Sequence, residues 1–315
     1  MAIKALFTYD YGKERMESIR KLGYELLVKG ESGISYTEEL EDVEVLVCYN
    51  PFDSLDISKM KKLKWIQLSS IGIDQVPKEK LIKSDITLTN NRGGYSIPMG
   101  EWIVLKILEL YKNSRGFYEK QQNKQWKMDT SVLELCGKTV GFLGTGTIAI
   151  EAAKRLQSFE VEVLGLNTKG TPVQYFHKCF KKENLDEMLS LCDVVVVTIP
   201  YTKESHHLLN KERMASMKEN ALLVNVSRGN VIDEEELISR LSNGQIKGAA
   251  LDVVEEEPLK EESPLWSFEN VIITPHNSWV SERRNERRFH ITYKNLEKYA
   301  NKGVLENVVD IKKGY

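Results

Sequence analysis

The chain has 315 residues, more than one compact core ordinarily holds, so two domains are expected. Its 41% hydrophobic and 29% charged residues are those of a globular protein, and a net charge of -2 argues against a general nucleic-acid binder. Cys48, Cys136, Cys179 and Cys192 stand at no metal-type spacing, so reduced thiols and no metal are expected.

The N-terminal apolar run is too brief for a signal peptide, and residues 194–199, an uncharged apolar run, are far too few to span a bilayer. A cytoplasmic protein with no membrane partner is the expectation. Residues 3–9 read as a strand, 13–22 as an amphipathic helix, and 43–49 and 65–68 as further strands. The last of these runs into Ser69, Ser70, Ile71 and Gly72, a loop at the carboxyl end of its strand, where open α/β sheets place ligands. A strand at 86–89 and the glycine-rich NNRGGYS follow. One long, heavily apolar helix is predicted over 100–123, then a polar connector flanked by Trp126 and Leu133.

Residues 138–167 form the centre of the chain. An apolar run over 140–143 ends at Gly144-Thr145-Gly146, Ala149 takes the third small position, and Ile148, Ala152, Leu156 and Phe159 recur at helical spacing. A second apolar run covers 161–166. Strand, glycine turn, helix and strand in that order predict a dinucleotide site, with a pyrophosphate at the helix N-terminus. At the position where an NAD site expects Asp or Glu stands Asn167, followed by Thr168 and Lys169. Asn167 repels nothing, Thr168 adds a donor and Lys169 a cation, so the cofactor is NADP or NAD with a lean towards NADP.

Strands are predicted over 194–199, 221–226, 248–253 and 271–274, and helices over 185–191, 211–217, 233–241 and, at the end, 282–302. Arg228, Glu257 and His276 stand at or just beyond the carboxyl ends of three of these strands. An arginine fork suits a carboxylate, a histidine can pass a proton near neutral pH, and a carboxylate can hold that histidine in one tautomer. That set can reduce a 2-oxo acid. The basic run Arg283, Arg284, Arg287 and Arg288 reads as a solvated or subunit-facing stripe.

With GFLGTGTIA, DVVVVTIPYTKESHHLLN, MKENALLVNVSRGNVIDEEELISRLSNGQIKGAALDVVEEEPL and ITPHNSW in this order, the chain resembles the D-isomer-specific 2-hydroxyacid dehydrogenase family over nearly its whole length. The resemblance implies that Arg228 binds the substrate carboxylate, that His276 is the proton donor with Glu257 its partner, and that Asp252 holds the nicotinamide carboxamide. It adds Ile71 and Gly72, beside Ser70, as substrate contacts through backbone N-H groups. Cofactor contacts are implied at Gly144, Thr145, Gly146, Thr147, Ile148, Ile199, Pro200, Val226 and Ser227. The chain differs from the common pattern at Val254, at Gly100 and at Asn277-Ser278-Trp279, and Trp279 is a candidate for narrowing the substrate pocket.

The expected architecture is α/β: two doubly wound parallel-sheet domains, a Rossmann-type dinucleotide domain over 100–285 inserted in a flavodoxin-like substrate domain of 1–99 and 286–315. The active site is expected in the cleft between them. The expected activity is hydride transfer between a nicotinamide and a small D-2-hydroxy or 2-oxo acid. The alternative is a nucleotide-sensing, corepressor-like protein; a formate dehydrogenase is disfavoured because there a glutamine pairs with the histidine. A homodimer is expected.

Overall fold

Parallel strands need crossovers, and short apolar runs alternating with amphipathic helices supply them in both parts of the chain. The computed structural model describes residues 2–315 and divides the chain into two units, one running to Tyr95 and including Ser281–Tyr315, the other Ser96–Val280.

In the first unit lie β1 (Ile3–Phe7), α1 (Lys13–Arg20), β2 (Tyr24–Val28), β3 (Val45–Cys48), β4 (Trp65–Leu68), α2 (Lys78–Ile82) and β5 (Thr87–Thr89). The strands pair in parallel in the order β2-β1-β3-β4-β5, that of a doubly wound, flavodoxin-like sheet. β3 and β4 are buried throughout. β2 was not foreseen: it carries Glu25 among apolar residues and sits on the sheet edge, where a continuous apolar run is not required.

The second unit holds α3 (Ser96–Tyr111), α4 (Ser114–Gln122), β6 (Thr139–Leu143), α5 (Thr147–Leu156), β7 (Glu162–Leu166), β8 (Lys178–Phe180), α6 (Leu185–Leu191), β9 (Val194–Val197), α7 (Lys211–Ala215), β10 (Ala221–Asn225), α8 (Glu234–Ser242), β11 (Ile246–Leu251) and β12 (Val271–Ile273). Its parallel sheet runs β12-β11-β10-β9-β6-β7-β8, so the order reverses between β6 and β9. That switch point opens a crevice at the strands' carboxyl ends. The four valines of β9 are fully buried, as a central strand covered on both faces requires.

The single helix predicted over 100–123 is two helices. Asn113 adopts a left-handed conformation (φ 48°) and its Oδ1 accepts the Gly116 N-H at 3.3 Å, so one side chain ends α3 and caps α4. Gly100 lies where α3 meets α5: a Cβ there would fall 2.9 Å from Glu151 Cβ and 3.0 Å from Ala152 N. A residue without a Cβ at this position thus permits the close helix crossing.

The chain finishes with α9 (Arg284–Ala300), which packs in the first unit. Its buried Asn295 donates to Gln67 Oε1 on β4 (2.9 Å), and Glu306 N donates back to Asn295 Oδ1 (2.8 Å). Buried polar groups that satisfy one another fix the helix at one position along the sheet. Among the described residues no helix is long and apolar enough to cross a membrane.

Candidate active site

Because β10, β11 and β12 are neighbours and parallel, their carboxyl ends share one rim, and the three segments leaving that rim carry Arg228, Glu257 and His276. The segment after β10 is shaped by Asn225. Its Oδ1 accepts the Ser227 N-H and hydroxyl, both at 3.0 Å, and its Nδ2 donates to Arg228 O at 3.0 Å. This Asx turn fixes the extended backbone of Arg228 (φ -145°, ψ 146°). Arg228 Nη1 donates to Ser227 O at 2.7 Å.

Gly229 shows how tightly this turn packs. A Cβ there would lie 1.9 Å from Val254 C and 2.2 Å from Glu255 N, so the segments bearing Arg228 and Glu257 meet backbone to backbone. Glu255 N donates to Glu234 Oε2 (3.0 Å), and His207 Nε2 stands 2.6 Å from Glu255 Oε1. Burial raises the Glu234 carboxyl, the Glu255 N-H lowers it and the Glu255 charge raises it further.

His276 Nδ1 is 3.0 Å from Glu257 Oε2. That contact makes Nδ1 the N-H side towards the carboxylate and leaves Nε2 to exchange a proton with a ligand. Burial pushes the Glu257 carboxyl up, but the hydrogen bond and charge of His276, the Val254 backbone N-H and the Arg228 cation together hold it below the ordinary value. Glu257 is therefore a carboxylate over the whole neutral range.

His276 itself has φ 50°, an uncommon region for a side-chain-bearing residue. Asp252, 1% exposed at the end of β11, holds it there. Its carbonyl accepts the His276 N-H (2.8 Å), and its Oδ1 accepts the Thr274 hydroxyl (2.5 Å) and the Asn277 N-H (2.8 Å). The Ser278 N-H reaches both carboxylate oxygens, at 3.1 and 3.0 Å. Oδ2 retains capacity to accept from an amide. Trp279 Nε1 donates to His276 O at 2.9 Å, so this side chain also braces the histidine turn.

At the other end of the crevice Gly144 (φ 97°) makes the turn after β6, and a Cβ there would crowd Ile199 Cγ2 at 3.0 Å and Thr198 Oγ1 at 3.2 Å. A Cβ at Gly146 would meet nothing within 4 Å, so the chain is open where a phosphate must approach. Thr147 and Ile148 open α5, whose first N-H groups have no intrahelical acceptors. Ile199 and Pro200 follow β9; Val226 and Ser227 follow β10 and are buried.

Asn167 organises the turn after β7. Its Nδ2 donates to Thr171 O (2.9 Å) and Thr145 Oγ1 (3.3 Å), while Oδ1 accepts the Lys169 and Thr171 N-H groups at 3.3 and 3.1 Å. Thr168 and Lys169 are left exposed at its tip, and Lys169 makes no ion pair among the described residues. A glycine turn, an open approach, a helix N-terminus and a cation at the second strand's end fit a dinucleotide phosphate group.

Within the first unit, Ser70 Oγ donates to Gly72 O (2.8 Å) and accepts from Gln75 Nε2 (2.9 Å), which stiffens the loop after β4. The N-H groups of Ile71 and Gly72 take part in no hydrogen bond among the described residues. Two such donors on a rigid loop can receive a carboxylate.

The family model described as D-isomer specific 2-hydroxyacid dehydrogenase, NAD binding domain, matches residues 104–278. The chain is 32% identical over 265 residues to a glyoxylate reductase of Thermofilum pendens, covering 82% of this chain and 78% of that one. It is 30% identical over 259 residues to a hydroxypyruvate reductase of Blautia hydrogenotrophica, covering 80% of each. A D-isomer specific 2-hydroxyacid dehydrogenase from Xanthobacter autotrophicus, solved with NADPH and MES, superposes with a TM-score of 0.83 at 25% identity over 100% of both chains. The chain belongs to the D-isomer specific 2-hydroxyacid dehydrogenase family, oxidoreductases that move a hydride between NAD or NADP and a 2-hydroxy acid.

Proposed function

We propose that the protein reduces small 2-oxo acids to D-2-hydroxy acids, with Arg228, His276 and Glu257 as its catalytic residues. The observation that carries this reading is the His276–Glu257 pair at 3.0 Å on the same rim as Arg228. When bound, the reduced nicotinamide supplies the hydride. His276 Nε2 gives the proton to the carbonyl oxygen, and Glu257 keeps the imidazole in the tautomer and orientation that permit it. The Arg228 fork binds the carboxylate and stabilises charge developing on the carbonyl oxygen. Ile71 and Gly72 contribute backbone N-H groups to the carboxylate, Trp279 borders the substrate, and Asp252 Oδ2 accepts from the carboxamide. Gly144, Thr145, Gly146, Thr147, Ile148, Ile199, Pro200, Val226 and Ser227 line the cofactor, with Asn167, Thr168 and Lys169 at its ribose end.

Relatives named as glyoxylate and hydroxypyruvate reductases favour an oxidoreductase over a nucleotide-sensing binding protein. We further propose a cytoplasmic homodimer without a nucleic-acid partner. Assaying a panel of small 2-oxo acids with NADH and with NADPH tests the activity; no turnover with any pair would reject it.

A further inference from the structure

The segment that carries Glu257 is fastened by groups that the proposed chemistry leaves without a role. Glu255 meets the start of α8 twice: its N-H donates to Glu234 Oε2 (3.0 Å), and its Oε1 accepts the Glu234 N-H (3.4 Å). Glu234 is the first residue of α8, so the Glu255 carboxylate also faces the positive end of that helix. On its other side the same segment presses on Gly229, directly after Arg228. A shift of residues 254–255 would therefore be felt both at Glu257 and at the Arg228 turn.

This clasp sets two carboxyl groups side by side. Burial raises the Glu234 carboxyl, and the charge of Glu255 raises it further against the lowering effect of the Glu255 N-H. Like charges so placed repel one another. His207 stands where positive charge offsets that repulsion. Its Nε2 is buried 2.6 Å from Glu255 Oε1 without the alignment of a hydrogen bond, so the contact acts through charge. A ring nitrogen this close to a carboxylate oxygen carries its hydrogen.

The imidazole is brought there by its backbone. His207 has φ 45°, its N-H donates to Asn230 O (2.8 Å), and Leu209 N donates to Val231 O (3.1 Å). The loop after β9 thus runs along the turn that follows Arg228. The ring of His206 stacks on that of His207, with centres 4.1 Å apart and planes at 21°. Asparagine shares the tolerance of histidine for a left-handed backbone, which supplies a substitution that keeps the loop.

We propose that His207 and Glu255 are positioning residues. The histidine lets the Glu255 carboxylate remain against Glu234 and α8, and this anchor keeps Glu257 within reach of His276. The proposal rests on the roles given above to Glu257 and His276 and deepens them.

A double-mutant cycle of His207→Asn and Glu255→Gln tests it, read by carbon-13 NMR of labelled glutamate and by turnover of a 2-oxo acid. In His207→Asn the two carboxyl groups repel unopposed and the anchor loosens. Burial of Glu257 is then less opposed by His276 and Arg228, so its carboxyl should titrate higher than in the wild type. Turnover should fall about tenfold while KM for the reduced cofactor holds. Glutamine at 255 keeps an acceptor for the Glu234 N-H and removes the charge. The double variant should therefore regain most of the lost turnover and return Glu257 towards its wild-type titration, whereas two independent structural defects would add. Glu255→Ala removes the anchor outright and should also raise Glu257; loss of a neighbouring negative charge alone would lower it. Glu257 unmoved in His207→Asn or in Glu255→Ala, or a double variant no better than His207→Asn, overturns the proposal. If the wild type reduces no 2-oxo acid, the reaction is misassigned, and the Glu257 titrations decide the anchor by themselves.

Discussion

The Ser278 N-H is shared between both carboxylate oxygens of Asp252, at 3.1 and 3.0 Å, which ties the end of β11 to the turn bearing His276. The Thr274 hydroxyl and Asn277 N-H complete the set on a side chain that is 1% exposed. Asp252→Ala would strand these donors, at a cost of about 3 kcal/mol. Its thermal midpoint should drop, and turnover should fall by more than cofactor affinity does. Asp252→Asn, of the same shape but with poorer acceptors, should lie between. Equal losses in turnover and cofactor affinity would mean that Asp252 serves the cofactor alone.

The Glu257–His276 pair gives a prediction whose sign is fixed by opposing causes. Burial raises the Glu257 carboxyl while His276 is the largest influence lowering it, and the net position is below the ordinary value of 4.5. A depressed carboxyl contributes stability above its unfolded value and loses it as pH falls through the folded one. The pair should thus persist from neutrality down through pH 4.5. In His276→Ala the two largest lowering influences are gone and only the Val254 N-H and the Arg228 cation oppose burial, so Glu257 should titrate higher than in the wild type, as carbon-13 NMR of labelled glutamate would show. Turnover of the same variant should fall by about two to four orders of magnitude with cofactor binding nearly intact. An unmoved Glu257 titration would mean that the two side chains are uncoupled in solution.

The Asn225 turn holds the Arg228 backbone, and Nη1 of its planar fork donates to Ser227 O at 2.7 Å. Lysine keeps the charge but not the two-point geometry. Arg228→Lys should therefore reduce kcat/KM for 2-oxo acids by about a hundredfold, equivalent to about 3 kcal/mol. Simple ketones accepted by the wild type as readily as 2-oxo acids would contradict a carboxylate fork.

What the sequence made legible follows physical rules. Buried parallel strands announce themselves as apolar runs: β9 stands out as four valines, and β4 was expected with the bounds it has. Edge strands β2 and β8 need no such run and passed unnoticed. The break at Asn113 was hidden because one residue in a left-handed conformation splits a helix without disturbing its apolar spacing. The proposed trio Arg228, Glu257 and His276 could be picked out because each follows a strand. Gly229 and the bracing role of Asp252 were not legible, since what they meet lies on other segments, and neither was Asn225, although its turn partners Ser227 and Arg228 are its near neighbours. A polar residue inside an otherwise apolar run, as in ALLVNVS and GAALDVV, was the signal available.

The second unit leaves large apolar side chains uncovered: Trp126 is 104% exposed, Met128 84%, Tyr118 61% and Leu105 50%. Apolar surface on this scale marks an association site more often than a solvated face. Sedimentation at micromolar concentration should give a dimer, and Trp126→Ser with Met128→Ser should shift it towards monomer. A wild-type monomer under these conditions would reject the homodimer.

Cofactor choice is the most exposed of these predictions, because the turn after β7 is built differently from the sequence expectation. Asn167 was expected to face the ribose as a neutral replacement for an acid; its amide is also the knot of its own turn, donating to Thr171 O and accepting from two backbone N-H groups. Asn167→Asp therefore makes two changes at once. It introduces a charge that repels a 2'-phosphate, and it loses the Nδ2 donor that closes the turn. A shift towards NADH would accompany some loss with both cofactors. Lys169→Ala is the cleaner probe, since its side chain is exposed and outside any described ion pair. An exposed ion pair is worth about 1 kcal/mol at most, so the variant should lose roughly fivefold in kcat/KM for NADPH. NADH, which lacks the phosphate, should be little affected. The wild type should use NADPH at least as well as NADH, and raised salt should narrow any gap because the contact is screened. A strong wild-type preference for NADH, with Lys169→Ala affecting both cofactors alike, would show that the lysine is only a solvated residue on the turn.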